Sequence, residues 1–243
     1  MRYIVVSDIH CNAPALEAVL RDAPHFDAVL CLGDIVGYGP DPNVCVERVQ
    51  DYQLTCLAGN HDWGAVGKAD LRVFNRDARE ALLWTEEELT KVNREFLRNL
   101  PAKASLNDRI LLAHGSPRDP VWEYLVDATS ASQSFRNHDF DLLLVGHSHL
   151  PLTFEWSPDE QRARPLPTKL DTPVEMEGRR LIVNPGSVGQ PRDGNPKSSY
   201  GLLDLDAQTF TFHRTAYPIE ITQERMRAKG LPPRLIDRLE VGR

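Results

Sequence analysis

The 243 residues include only four cysteines, and no two of them form a Cys-x-x-Cys pair. That spacing argues against zinc-knuckle and dithiol chemistry, so Cys11, Cys31, Cys45 and Cys56 are expected to be reduced and mostly buried thiols. No run of Lys or Arg is present, and 35 acidic against 28 basic residues leave a formal charge of −7. Stable binding to nucleic acid is therefore not expected. An extended apolar segment is also missing, since Tyr3-Ile4-Val5-Val6 leads directly to Asp8. Neither a signal peptide nor a membrane span is expected, which points to a cytoplasmic protein without membrane contact. No internal repeat is visible.

What is present is an ordinary globular composition, 41% hydrophobic and 26% charged, long enough for one large α/β domain spanning residues 1–243. Short apolar runs recur at Tyr3–Val6, Ala28–Leu32, Leu54–Leu57, Ile110–Ala113 and Leu142–Val145, and read as buried strands. Ala15, Leu16, Val19 and Leu20, and later Val44, Val46 and Val49, recur at helical spacing between the first of them. Strand alternating with helix indicates a layered α/β fold. Over about residues 63–100 the pattern is helical only, with Leu71, Phe74, Ala78 and Leu82 on one face and Leu89, Val92 and Phe96 on the next. Thr85 and Glu88 have capping-box spacing for a second helix that Pro101 closes, so this stretch reads as a helical insertion. About residues 150–180 are polar and Pro-rich, which predicts hairpins and loops. Leu181–Val183 resumes a strand, Tyr200–Leu205 and Thr209–Arg214 read as a hairpin, and the charged tail from Gln223 reads as a terminal helix or frayed end.

Each of the five apolar runs stops at a cluster of side chains able to bind metal. In order these are Asp8-Ile9-His10, Gly33-Asp34, Gly59-Asn60-His61-Asp62, His114-Gly115 and Gly146-His147-Ser148-His149. Ligands of α/β sheets bind beyond the carboxyl ends of strands, so the five clusters are expected to converge on one crevice. An i, i+2 spacing lets Asp8 and His10, or His147 and His149, face one side of a still extended backbone. Five of the eight histidines lie in these clusters, leaving only His25, His138 and His213 elsewhere. Two carboxylates, one amide oxygen and four imidazoles exceed what one tetrahedral ion needs and suit two ions if Asp34 bridges them. Mixed oxygen and nitrogen donors fit Mn, Fe, Zn or Ni better than Ca or Mg.

These blocks, in this order, resemble the calcineurin-like metallophosphoesterases, and with the flanking strands the likeness covers nearly the whole chain. The resemblance implies a four-layer α/β/β/α sandwich with a small helical insertion and two divalent cations, Mn first among the candidates. It further implies that Asp8, His10 and His149 hold one ion, that Asn60, His114 and His147 hold the other, and that Asp34 bridges. His61 would stabilise the phosphoryl group or protonate the leaving oxygen, oriented by Asp62. A hydroxide bridging two cations is a nucleophile at neutral pH, so hydrolysis of a phosphate ester needs no covalent intermediate.

Three segments are candidates to border such a site. Asn184–Arg192 offers Arg192, His114–Arg118 offers Arg118, and Gly37-Tyr38-Gly39-Pro40 offers Tyr38 for stacking on a ring. The expected substrate is a small phosphorylated compound, a nucleotide among the candidates: a phosphomonoester, a phosphodiester or a dinucleoside polyphosphate. A scaffold or protein-binding module on the same fold, which would have lost ligands, and a nuclease, which would show a basic stripe, are the alternatives.

Overall fold

Leu, Ile and Val runs unbroken by polar residues require cover on both faces, and a computed structural model describing residues 1–243 provides it with two stacked sheets. The first half of the chain runs β1 (Arg2–Val6), α1 (Ala13–Asp22), β2 (Ala28–Cys31), α2 (Pro42–Gln50), β3 (Leu54–Cys56), α3 (Asn60–Ala65), α4 (Arg76–Glu88) and α5 (Lys91–Asn99). Then come β4 (Lys103–Asn107), β5 (Ile110–Ala113), α6 (Ala128–Asn137), β6 (Leu142–Leu144), β7 (Pro151–Ser157), β8 (Arg162–Leu166) and β9 (Pro173–Glu175). The chain finishes with β10 (Leu181–Pro185), β11 (Ser198–Asp204), β12 (Thr209–Thr215), α7 (Ile219–Ala228) and α8 (Pro233–Val241).

One sheet has the order β3-β2-β1-β11-β12-β9 and the other β4-β5-β6-β10-β7-β8. In the first, β1, β2 and β3 are parallel, with Val5 opposite Leu30 and Leu30 opposite Thr55. In the second, β5, β6 and β10 are parallel, with Leu112 opposite Leu144 and Leu144 opposite Val183. Strand alternation sorts each run between two faces. Val5, Leu30, Leu32, Leu144, Val183, Phe210 and Phe212 meet between the sheets, where burying each large side chain contributes about 1.5–3 kcal/mol. Ile4, Val6, Val29 and Cys31 face outward onto Leu16 and Val19 of α1 and Val46 and Val49 of α2. Leu143, Val145 and Ile182 face the opposite way, onto Ala131 and Phe135 of α6. The layers are therefore helix, sheet, sheet, helix, as the family resemblance implies.

Local chemistry sets several element ends. Asn12 caps α1 by accepting from the Ala15 N–H, and Asp127 caps α6 by accepting from Thr129 and Ser130. The capping box expected at Thr85 and Glu88 does not form, because Thr85 is inside α4 with its hydroxyl donating to the Ala81 carbonyl at 2.8 Å. Thr90 caps α5 instead, accepting from Asn93, and Val92 points to solvent rather than onto the buried face. The tail is not frayed: α7 and α8 pack Met226, Leu231, Leu235, Ile236 and Leu239 with Tyr38, Ala78 and Ala81. Two further elements, β4 and α6, have no counterpart in the sequence reading. Strand β4 exposes every other residue at a sheet edge, and α6 is rich in Ser and Ala, so neither stands out as an apolar run. No helix is long and apolar enough to cross a membrane.

Candidate metal centre

The carboxyl ends of β1, β2 and β3 from one sheet and of β5, β6 and β10 from the other open onto the same edge of the sandwich. Ser187 of the segment after β10 donates its hydroxyl to the Asp8 carbonyl at 2.8 Å, and the His147 N–H donates to the Asp8 carboxylate at 3.2 Å. Glycines permit this approach. A Cβ on Gly59 would lie 2.0 Å from Asp34 Oδ1, and one on Gly189 would lie 1.8 Å from the Ile9 carbonyl oxygen.

The backbone at the paired positions is not extended, contrary to the sequence expectation. Asp8, His10, Asp34, His147 and His149 all adopt left-handed φ values, between 50° and 66°. Each such non-glycine residue costs on the order of 1–3 kcal/mol, and strain of this kind persists where surrounding bonds over-determine it. The turns aim both members of each pair inward by curling the chain, not by strand alternation.

All seven candidate donors are buried, with exposures from 0 to 5%. Asp8, His10 and His149 form one group of converging ligand atoms, and Asp34, His114 and His147 form a second. His149 Nε2 is 3.3 Å from Asp8 Oδ1 and 3.1 Å from His10 Nε2. Asp34 Oδ2 faces both groups at once, 3.7 Å from His10 Nε2 and 3.4 Å from His114 Nε2. Asn60 Oδ1 lies 3.3 Å from His114 Nε2, beside the second group.

Hydrogen bonds outside the cluster fix which ring atoms face inward. His10, His114 and His149 turn Nδ1 to the carbonyls of Val36, Leu32 and Gln190 at 3.1, 2.8 and 2.6 Å, which assigns a proton there and turns Nε2 inward. His147 is reversed, its Nε2 pointing to the Trp122 carbonyl at 3.2 Å. Asp8 Oδ1 and Asp34 Oδ2 are buried oxygens without a hydrogen-bond donor. Buried acceptors that face one another need a positive partner, and divalent cations fit this donor set.

Burial dominates the ionisation of the metal-free cluster. It lowers His10 and His149 well below the ordinary histidine range, His147 to about 3 and His61 to about 4, and raises Asp8 to about 7. His114 is the exception: burial opposes its charge, but the neighbouring Asp34 carboxylate outweighs that and raises it to about 9. The same contact, against burial, holds Asp34 below the usual carboxylate range. Neutral imidazoles and charged carboxylates are the forms that bind cations.

The remaining candidates separate. His61 projects into the cluster, its ring 4.9 Å from that of His10, and its buried Nδ1 has no partner. Asp62 does not hydrogen-bond His61. Its carboxylate accepts the backbone N–H groups of Asp34, Val36 and Gly59 at 2.8, 3.1 and 2.9 Å, tying the β2 and β3 ends together. Tyr38 is buried, edge-on to His10 at 4.6 Å and against His61 at 4.3 Å, so it offers no open face for a substrate ring. Arg192 lies beside the centre, pairs with no carboxylate, and donates to Gln190 Oε1 at 3.1 Å and the Tyr38 hydroxyl at 3.4 Å. Arg118 is instead engaged by Glu123 and by Gln133 of α6, so its charge is already paired.

Residues not singled out in the sequence also border the cluster. Tyr124, about half exposed, stacks on His147 with ring centres 3.9 Å apart, and Trp122 meets Phe74, which meets His61. Two large aromatics within ten residues of His114 were the available signal. Asn184 donates to the Gly146 carbonyl at 2.6 Å and to Ser148 at 3.0 Å, bracing the His147–His149 turn.

Comparison with known proteins agrees with this geometry. The model of the calcineurin-like phosphoesterase superfamily domain matches residues 1–208. An uncharacterised protein of Methanocaldococcus jannaschii is 38% identical over 98% of this chain and 97% of its own. A solved metallophosphoesterase from Sphaerobacter thermophilus is 42% identical, covers 100% of this chain and 99% of its own, and superposes with a TM-score of 0.90. The phosphodiesterase YfcE of Escherichia coli is 26% identical over 85% of this chain and 89% of its own.

Proposed function

The chain belongs to the calcineurin-like phosphoesterase superfamily and is a phosphoester hydrolase, and from that premise we propose that it works through two divalent cations held by Asp8, His10, Asp34, Asn60, His114, His147 and His149. The observation that carries this reading is the position of Asp34, whose unpartnered Oδ2 lies within 4 Å of a ring nitrogen from each group. One carboxylate serving both groups is what a binuclear centre requires.

Two such cations, Mn first among the candidates, supply Lewis acidity toward the phosphoryl oxygens and a nucleophile at neutral pH. The chain's own groups do the rest. Asp34, Asp8 and Asn60 provide oxygen donors at fixed positions, and backbone carbonyls accept the outer N–H of each of the four imidazoles, which turns the other ring nitrogen inward. His61, kept neutral by burial, is suited to donate an N–H hydrogen bond to a phosphoryl or leaving oxygen. Arg192 brings an unpaired guanidinium with a buried, unpartnered Nε, a fork matching phosphate oxygens. Tyr38 holds that fork in place through its hydroxyl, and Asp62 fixes the Asp34 loop.

The test is turnover, with Mn²⁺ added, of an aryl phosphomonoester, an aryl phosphodiester and a dinucleoside polyphosphate. Metal-dependent hydrolysis of at least one, abolished by chelation and by Asp34→Asn, is expected. A protein that binds two ions and hydrolyses none of the three classes would overturn the proposal.

A further inference from the structure

Three of the four candidate imidazole ligands are anchored from the interior. The outer Nδ1 atoms of His10, His114 and His149 meet the carbonyls of Val36, Leu32 and Gln190, residues no more than 2% exposed. His147 is anchored from the surface. Its outer Nε2 donates to the carbonyl of Trp122, and one face of its ring is covered by Tyr124, with ring centres 3.9 Å apart and planes 21° from parallel. Both partners belong to the loop between β5 and α6, and Tyr124 is itself 51% exposed. The loop is tied down on either side of the tyrosine. Val121 and Leu125 are buried, Leu125 with Ala131 and Phe135 of α6, and the Gly115 and Ser116 N–H groups donate to the carbonyls of Pro120 and Asp119 at 2.7 and 3.1 Å. Glu123, between the two aromatic residues, accepts from the Ser116 hydroxyl and from Arg118.

The reversed ring of His147 makes this cover matter. A histidine turns about its Cβ–Cγ bond over a broad range. Nδ1 stands well off that axis and Nε2 close to it. A carbonyl that holds Nδ1, as in the other three, therefore fixes the rotation and with it the inner Nε2. A carbonyl that holds Nε2, as Trp122 does, leaves the ring free to swing its inner Nδ1 out of line. A stacked neighbour removes that freedom, because rotation would drive the imidazole edge into the tyrosine ring.

We propose that Tyr124 is a positioning residue for one of the two ions: its ring sets the rotation of His147 and so aims Nδ1 at the cation shared with Asn60 and His114. The inference rests on the two-cation reading above. Among the ligand rings Tyr124 stacks only on His147, so its loss falls on that group and spares Asp8, His10 and His149. Partners that orient a metal-bound imidazole contribute about 10–100-fold in metal affinity, and a single aromatic stack belongs at the lower end of that range.

The test is a double-mutant cycle read by metal binding. Wild type, Tyr124→Ala, Tyr124→Phe, His147→Ala and the His147→Ala/Tyr124→Ala double variant are stripped of metal and titrated with Mn²⁺, the free ion being read from its paramagnetic resonance signal. Tyr124→Ala is expected to weaken one of the two binding steps roughly tenfold and to leave the other within about twofold, and Tyr124→Phe, which keeps the ring, to bind both ions like wild type. With His147 already replaced, removing the tyrosine is expected to change affinity by no more than about twofold, as a residue that acts through His147 must. Two unchanged steps in Tyr124→Ala, or the same loss with and without His147, would overturn the role. Wild-type protein that takes up a single ion, still weakened by Tyr124→Ala through His147, would sink the two-cation reading while the role of the tyrosine stands.

Discussion

Replacing Asp34 with Asn keeps the side-chain shape and the acceptor for the His61 N–H, at 2.8 Å, but removes the charge that faces both ligand groups. Two unit charges about 4 Å apart interact by about 4 kcal/mol at an effective dielectric constant near 20, and a divalent partner strengthens this. A loss of about 4 kcal/mol corresponds to roughly a thousandfold in affinity. Because Oδ2 lies 3.7 Å from the inner nitrogen of His10 and 3.4 Å from that of His114, the loss falls on both ions. His10→Ala removes a neutral donor from one group only. After dialysis against micromolar free Mn²⁺, elemental analysis is expected to find close to no metal on Asp34→Asn, about one ion on His10→Ala and about two on wild type. Circular dichroism checks that the fold persists. An Asp34→Asn protein retaining as much metal as His10→Ala would refute the bridging role.

Three other substitutions separate the remaining roles. His61→Gln should keep its metals and lose about 10²–10⁴-fold in kcat, less for an aryl leaving group than for an alkyl one, and loss of metal would make His61 a ligand instead. Arg192→Ala should lower kcat/KM roughly 10–100-fold, as expected for one charged hydrogen-bonding group, whereas Arg118→Ala, already paired with Glu123, should stay within about twofold; steady-state kinetics with an aryl phosphate distinguishes them. Gly59→Ala should destabilise the metal-free protein by about 1–3 kcal/mol or more in denaturant unfolding, since the new methyl would meet Asp34 Oδ1 at 2.0 Å, and an unchanged midpoint would show that the loop gives way.

The convergence of the seven candidate donors was legible because each follows a strand that is itself an apolar run, and strand ends in α/β folds point to one place. How they are aimed was not. Left-handed turns at Asp8, His10, Asp34, His147 and His149 are imposed by tertiary bonds, such as Ser187 to the Asp8 carbonyl, from residues far away in sequence. Arg118 and Tyr38 show the same limit. Arg118 is adjacent to a ligand in sequence but meets Glu123, and Tyr38 is buried by the α8 leucines, partners that spacing does not reveal. The tail was read as charged because its apolar residues, Met226, Leu235, Ile236 and Leu239, are spread at helical intervals among arginines and glutamates. Asp62 looked catalytic by proximity to His61, yet its three backbone hydrogen bonds make it a brace for the loop.

Anomalous diffraction from crystals grown with Mn²⁺ tests the proposal of a binuclear centre most directly. The proposal predicts two peaks, about 3.5–4 Å apart as is typical of two-metal sites. One should lie among Asp8, His10 and His149 and the other among Asn60, His114 and His147, with Asp34 contacting both. A single peak at saturating Mn²⁺, or two peaks that do not share Asp34, would contradict the account.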